Sequence, residues 1–226
     1  MSATGKHTRF GIEPPRLPDP RSLREADASD LDTERTLERV RLANVQMPGA
    51  DPAETVLHQA SLAAVGFAGA SLGGLVLEDS ILSGVDLVGA QAEAARWTRV
   101  ALEGCRLTGA NLDEARLHDV RFEDCAIDLA RLQHCRIRQT LFLNCKLHGS
   151  FLLESDLRRV RFVDCDLREV DLRGATLEQV DLRGSRLEGI QLAVEQFAGL
   201  TVSSDQLVLL SRRTGITVDD GHPLAG

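Results

Sequence analysis

Residues 170–189 read VDLRG ATLEQ VDLRG SRLEG, four consecutive pentads with a large apolar residue at the third place of each. This five-residue register extends from Leu37 to Phe197, and Pro52 and Ala92 are the only misfits among its 33 apolar positions. A small residue usually stands two places earlier, and no insertion or deletion interrupts the count. The register therefore describes one continuous array of repeats.

A five-residue period excludes the two common regular structures. In an α-helix each residue advances by about 100°, so equivalent positions of successive pentads fall on different faces and no apolar stripe forms. In a flat strand the side chains alternate with a period of two, so an odd period would reverse the apolar set at every repeat. The chain must therefore turn once in each pentad.

Four corners of about 90° close a square, so four pentads form one coil, and stacked coils lie roughly 4.8 Å apart, at the usual strand spacing. If three residues of each pentad are extended, the small residue and the large apolar residue point to the same side. The sequence thus predicts an all-β solenoid whose bore is filled by apolar side chains.

Three pentads show the pattern clearly, and they carry a family resemblance: 110–114 (ANLDE), 170–174 (VDLRG) and 180–184 (VDLRG). They resemble the pentapeptide repeat family, whose consensus is A(D/N)LXX, and the match covers residues 37 to 197. The resemblance implies a right-handed quadrilateral β-helix, here of about eight coils or roughly 38 Å. It also implies a relation to members that bind type II DNA topoisomerases as acidic imitations of duplex DNA and protect them from quinolones or related toxins.

The flanking sequences divide the chain into three parts. Residues 1–35 are predicted to be a disordered or weakly helical N-terminal arm, because four prolines lie between Pro14 and Pro20. Residues 36–200 form the pentapeptide-repeat β-helix. Residues 201–226 are predicted to be a C-terminal capping helix and tail, since Ser203 begins a run of good helix N-caps. Short helical caps are therefore expected at both ends.

Composition indicates a cytoplasmic protein. The 226 residues carry a formal net charge of −8, and no apolar run approaches the roughly 18 residues of a membrane span. The start lacks an apolar signal core, so no contact with a membrane is expected. Members of the resembled family often dimerise end to end, which implies a homodimer through the C-terminal end; the alternative is a monomer whose own tail closes that end.

Inward positions hold residues that could suggest chemistry, but core packing is the preferred interpretation. The five cysteines occupy the small inward position, and four of them are 20 residues apart in one column. Stacked parallel thiols have poor torsions for a disulfide and do not converge on a zinc ion, so inert buried thiols are predicted. Three phenylalanines also share a column and should stack in the bore. These residues are Cys105, Cys125, Cys135, Cys145 and Cys165, and Phe122, Phe142 and Phe162.

No active site is predicted. The six histidines are dispersed, and no Ser-His-Asp set, phosphate-binding glycine loop or metal-ligand cluster appears at workable spacing. A filled square prism also lacks the concave, water-excluding pocket that catalysis prefers. The chain is therefore interpreted as not an enzyme, with no cofactor and no metal.

Arginines occupy several outward positions, and three of them lie 20 residues apart: Arg96, Arg116 and Arg136. They should stack on one face, where like charges repel, so they require acidic neighbours or an anionic partner. No aromatic residues are interleaved with them for base stacking, and no direct binding of nucleic acid is expected. The acidic candidates are Glu114, Asp119 and Asp156.

A second outward anomaly is apolar. Leu141, Leu143 and Val163 are expected to share one face, while Phe151 and Leu153 lie two faces away. Exposed apolar clusters often mark contacts with another protein. These five residues and the three stacked arginines form the predicted partner-binding surface.

Two functions from different classes remain open. The first is a scaffold that binds a protein partner through its rigid outer faces, and the alternative is DNA-mimic binding and protection of a type II topoisomerase. Residues 37–200 contain 24 acidic and 18 basic residues, a net charge of −6, whereas duplex DNA carries one charge per roughly 1.7 Å. A continuous acidic face would favour mimicry, and alternating patches would favour the scaffold, which assumes less.

Overall fold

The computed structural model describes residues 11–211, apart from the side chain of Asp32. The first ten residues of the predicted arm and the tail from residue 212 lie outside the described residues. The strands, in chain order, are β1 (Arg24–Glu25), β2 (Thr36–Glu38), β3 (Val40–Ala43), β4 (Val56–His58), β5 (Ser61–Ala63), β6 (Val76–Ser83), β7 (Arg96–Glu103), β8 (Arg116–Glu123), β9 (Arg136–Arg138), β10 (Leu141–Leu143), β11 (Asp156–Arg158), β12 (Arg161–Val163), β13 (Thr176–Glu178), β14 (Val180–Asp181) and β15 (Leu200–Thr201).

Helices occur only near the ends of the described chain. They are α1 (Ala28–Thr33) and α2 (Ser204–Ser211), with 3₁₀ turns at Pro20–Ser22 and Val194–Gly199. None of the helices between residues 11 and 211 is both long and apolar enough to cross a membrane.

The strands pair in parallel with a register of 20 residues, so that Leu77 stands beside Trp97 and Trp97 beside Leu117. Isolated bridges with the same offset occur on the two faces without named strands, as between Ser71 and Gln91. The prediction of a β-solenoid is confirmed, with about nine turns rather than about eight. The added turn arises because β1, which lies outside the pentad register, pairs with β3 through Arg24 and Val40.

The bore is filled as the register predicts. The rings of Phe122 and Phe142 stack with centroids 4.7 Å apart, and those of Phe142 and Phe162 with centroids 4.8 Å apart. All five cysteines are buried and free, as expected. Beside Trp97 and the undersized Ala92 lies a cavity of about 10 Å³, no larger than one water molecule needs.

Each corner is made by the fourth residue of a pentad, which adopts a left-handed backbone. Gly84 has a φ of 61° and Asp124 a φ of 55° at equivalent corners. This conformation is least costly for glycine and is tolerated by aspartate and asparagine. Glycine is therefore frequent after the apolar position because the chain must turn there.

Both ends of the bore are closed by the chain itself. At the N-terminal end, Asp27 caps α1 in a capping box, and Leu31 is buried in the core. At the C-terminal end, the amide of Gln206 donates to the carbonyls of Leu182 (2.7 Å) and Ser185 (2.8 Å), and Leu210 packs on the core. These contacts replace the ladder bonds that a further turn would have made.

Residues 11–16, here called the strap, lie extended on the outside of the solenoid. The backbone N–H of Glu13 donates to Asp119 (3.1 Å), and that of Arg16 donates to Asp79 (2.9 Å). Asp79 and Asp119 are two turns apart, roughly 9.6 Å, which three extended residues span. Pro14 and the following proline have no N–H and favour an extended backbone, so the prolines of the arm hold the strap straight.

Candidate partner-binding surfaces

The predicted surface is divided among three of the four faces. The face called here the arginine face carries Arg96, Arg116 and Arg136 in register. The next face along the chain, the strap face, carries β10 and β12 and therefore Leu141, Leu143 and Val163. The Phe151 face, which precedes the arginine face, carries Phe151 and Leu153. The fold therefore does not bring the two apolar groups together.

Leu141 is not an exposed residue, contrary to the sequence-based expectation. Its exposed fraction is 0%, although it lies outside the core cluster of the bore. Ladder pairing places it beside Arg121, which is 1% exposed. The strap crosses this column, and its Ile12 is also buried outside the bore. The arm therefore covers a position that the pentad register points outward.

Leu143 and Val163 are half-buried and stand in register with each other. On the other side of Leu143 the ladder partner is Glu123, which forms an ion pair with Arg121. This part of the predicted surface is consequently a mixed edge and not an exposed apolar cluster.

An exposed apolar patch does exist on the Phe151 face, and half of it was missed. Phe151 is 39% exposed, and Leu129, which the sequence interpretation did not select, is 57% exposed. Leu129 lies over Gly149, where an added Cβ would be only 2.9 Å from its Cδ2. The N–H of Phe151 bonds to the carbonyl of Ala130, so both side chains occupy adjoining turns. We call Leu129 and Phe151 the Phe151 patch; Leu153 beside it is half-buried.

Leu129 stands at a corner, with a φ of 58°. Other corners carry glycine, alanine or a polar residue, and a bulky apolar residue gains nothing in a left-handed, exposed conformation. A leucine at the fourth place of a pentad is the sequence signal that could have revealed it.

The three stacked arginines are exposed, and within residues 11–211 none of them forms an ion pair. Two unit charges about 4–5 Å apart in water repel by about 1 kcal/mol. The expected acidic neighbours do not relieve this repulsion. Asp119 contacts His118 and the strap, and Asp156 is bonded by its neighbours Arg138 and Arg158.

Elsewhere, acidic side chains are neutralised by arginines two residues along the same strand. Arg168 bonds Asp166 at 2.6 Å, and its hydrogen bonds lower the pKa of that carboxyl to about 2. Equivalent pairs join Arg173 to Asp171 and Arg183 to Asp181. Acidic and basic groups thus alternate over the described faces, and the arginine column interrupts the negative charge.

The fourth face contains a shallow groove of about 450 Å³ above the cysteine column. Charges of both signs line it, and most are already paired, as in Arg186 with Asp166 and Asn144 with Asp124. The thiols lie on its floor and are buried.

One possible metal-ligand cluster exists, although the sequence interpretation found none. Atoms of His58, Glu78 and Asp79 lie within 4.8 Å of one another. Residues about 20 apart are neighbours only after the turns stack, so linear spacing did not reveal the cluster. Arg99 donates to Asp79 (2.7 Å) and to Glu78 (2.7 Å), and these bonds, despite burial, raise the pKa of Arg99. The cluster is an ion-pair network that helps to hold the strap.

The fold and its surfaces define a parallel β-solenoid that presents polar and apolar groups only on its outer walls. Two family models match the chain, one described as a pentapeptide repeat region at residues 95–162, and one described as pentapeptide repeats (8 copies) at residues 60–96 and 154–189. The chain belongs to the pentapeptide repeat family.

Solved structures share this fold. A trypsin-treated form of QnrB1, described as a plasmid-mediated fluoroquinolone resistance protein, is 19% identical, with a TM-score of 0.60 over 81% of this chain and 91% of that one. HetL of the cyanobacterium Nostoc sp. strain PCC 7120, described as involved in heterocyst differentiation regulation, is 22% identical, with a TM-score of 0.46 over 69% of this chain and 84% of that one. No curated protein matches the sequence.

Proposed function

We propose that this protein is a non-enzymatic scaffold that binds a protein partner through its rigid outer faces. The observation that carries the proposal is the Phe151 patch. Leu129 is 57% exposed in a backbone conformation that leucine disfavours, and Phe151 is exposed beside it. Exposed aromatic and aliphatic groups on a rigid wall are typical anchors of protein interfaces.

The filled bore supports a role without catalysis. The side chains that could act as acids or bases in the described chain lie on convex walls, and the one compact cluster, around Asp79, is held by Arg99. The five free thiols are typical of a reducing compartment and support a cytoplasmic location.

The test compares three variants of the full chain as bait. Phe151→Asp and Leu129→Asp place charge on the patch, and Val194→Asp makes the same change at a residue that is 55% exposed near the C-terminal end. A partner captured by cross-linking is then purified and recombined with each variant. We expect both patch variants to weaken binding at least tenfold, about 1.4 kcal/mol, with Val194→Asp unaffected. Hydrogen exchange in the complex should protect the Phe151 face, and protection confined to other parts would refute this interface.

The alternative is DNA-mimic binding of a type II topoisomerase. The net charge of −6 over residues 37–200 and the rod of about nine turns favour it. The unpaired arginine column counts against it, because a duplex has no positive stripe. The test is a gyrase supercoiling assay with and without a quinolone. Restored supercoiling in the presence of the drug would support mimicry, and no effect at micromolar protein would remove it.

Homodimer formation through the C-terminal end is part of the proposal. The bore is closed there, but Leu207 (53% exposed) and Val208 (36% exposed) form an apolar outer face on α2. Light scattering should give the mass of a dimer for the wild type and of a monomer for Leu207→Asp. A monomeric wild type at high micromolar concentration would show that the chain closes its own end.

A further inference from the structure

The arginine column is a set of charges that the backbone holds at close spacing. Ladder pairing places Arg96 beside Arg116 and Arg116 beside Arg136, and consecutive turns lie roughly 4.8 Å apart. All three side chains are exposed, and no carboxylate of the described chain pairs with them. The turns cannot separate to relieve the repulsion, so an anionic ligand would stabilise the face.

The same face already binds carboxylates one turn further along. Asp156 stands in register with Arg136, and its carboxylate accepts bonds from Arg158 (2.7 Å) and Arg138 (3.2 Å). A carboxylate at strand spacing is thus a ligand that arginines of this face engage. The three-arginine column lacks such a carboxylate of its own.

The length and surroundings of the column select the kind of anion. The column spans two turns, roughly 10 Å, which three residues of an extended peptide cover. The protein carries a net charge of −8, which opposes a dense polyanion such as nucleic acid. Among the described residues, this face exposes no aromatic ring on which bases could stack, since Trp97 is buried.

We propose that Arg96, Arg116 and Arg136 bind an extended acidic segment of a partner protein. The inference rests on the proposed function and names the chemistry of the partner. Guanidinium groups bind carboxylates through paired hydrogen bonds, so consecutive aspartates or glutamates are the expected ligand.

The test uses fluorescein-labelled hexaglutamate and the full chain, with fluorescence anisotropy at low ionic strength. We expect binding that weakens as salt rises, and that falls about tenfold in Arg116→Gln and further in the triple variant Arg96→Gln, Arg116→Gln and Arg136→Gln. Arg106→Gln is the matched control, because it removes the same charge from an exposed side chain on the opposite face. It should change the affinity by less than about twofold.

Three outcomes would overturn the inference. They are no binding of hexaglutamate, an equal loss in Arg106→Gln, and tighter binding of a short oligothymidylate than of hexaglutamate. A purified partner that needs Phe151 but is unaffected by Arg116→Gln would also overturn it and would leave the scaffold proposal standing. Column-dependent binding of hexaglutamate without any partner at the Phe151 patch would do the reverse.

Discussion

The backbone N–H of Glu13 donates a hydrogen bond to the buried carboxylate of Asp119, 106 residues further along the chain. This bond and its counterpart between Arg16 and Asp79 anchor the strap across two turns of the solenoid. The strap in turn covers the column that contains Leu141. An irregular segment outside the repeats therefore decides which part of one regular face is accessible.

Replacing Asp119 with alanine should release the strap without unfolding the solenoid. The Glu13 amide loses its acceptor, so its hydrogen exchange should accelerate about tenfold or more, equivalent to about 1.4 kcal/mol. Asp164→Ala is the control, because residues 119 and 164 both adopt a left-handed backbone, with φ values of 54° and 53°. Equal exchange rates at Glu13 in the two variants would show that Asp119 does not hold the strap.

Acid should loosen the strap through Asp79. Burial alone would raise the pKa of Asp79, but hydrogen bonds from Arg99 and from the N–H of Arg16 lower it below 3.8. The unfolded chain therefore binds this proton more readily than the folded chain, so the stabilisation is present above about pH 3.8 and is lost as the pH falls through the lower folded value.

The measurement is the exchange rate of the Arg16 amide, corrected for intrinsic chemistry, between neutral pH and about pH 3. Protection should fall across the acidic end of this range in the wild type. In Asp79→Asn protection should be lower and nearly independent of pH, and a wild type without any acid dependence would contradict the assignment.

Leu141 and Leu143 provide a direct test of the strap face. Leu141→Ala removes a fully buried side chain and should cost about 2–5 kcal/mol, whereas Leu143→Ala, at a half-buried residue, should cost less than about 1 kcal/mol. Denaturant unfolding of both variants measures the difference. Equal losses would mean that Leu141 is not covered.

The five cysteines should be inert in the folded protein. Burial raises the pKa of Cys135 to about 12, so that its thiolate is scarce at neutral pH. An aromatic disulfide reagent such as DTNB should therefore react with the native chain only as slowly as it unfolds, and should titrate five thiols in guanidinium. Rapid reaction of any native thiol would contradict the inward placement.

Much of the wall chemistry could be predicted because it follows from the 20-residue stacking. The Phe122, Phe142 and Phe162 column and the arginine column appear where the register places them. What could not be predicted is which positions are covered or paired. Leu141 is hidden by the strap, and Arg99 joins two carboxylates of the preceding turn.

The sequence by itself determined the solenoid, its filled bore and the face that each residue occupies, because a strict five-residue period allows only one way to turn the chain and bury every apolar position. Only the tertiary structure decided that the strap lies on one face, that the arginine column is left unpaired, and that Leu129 adjoins Phe151. Those relations depend on contacts between residues many positions apart, or on the direction in which long side chains extend, and neither leaves a periodic signal in the chain.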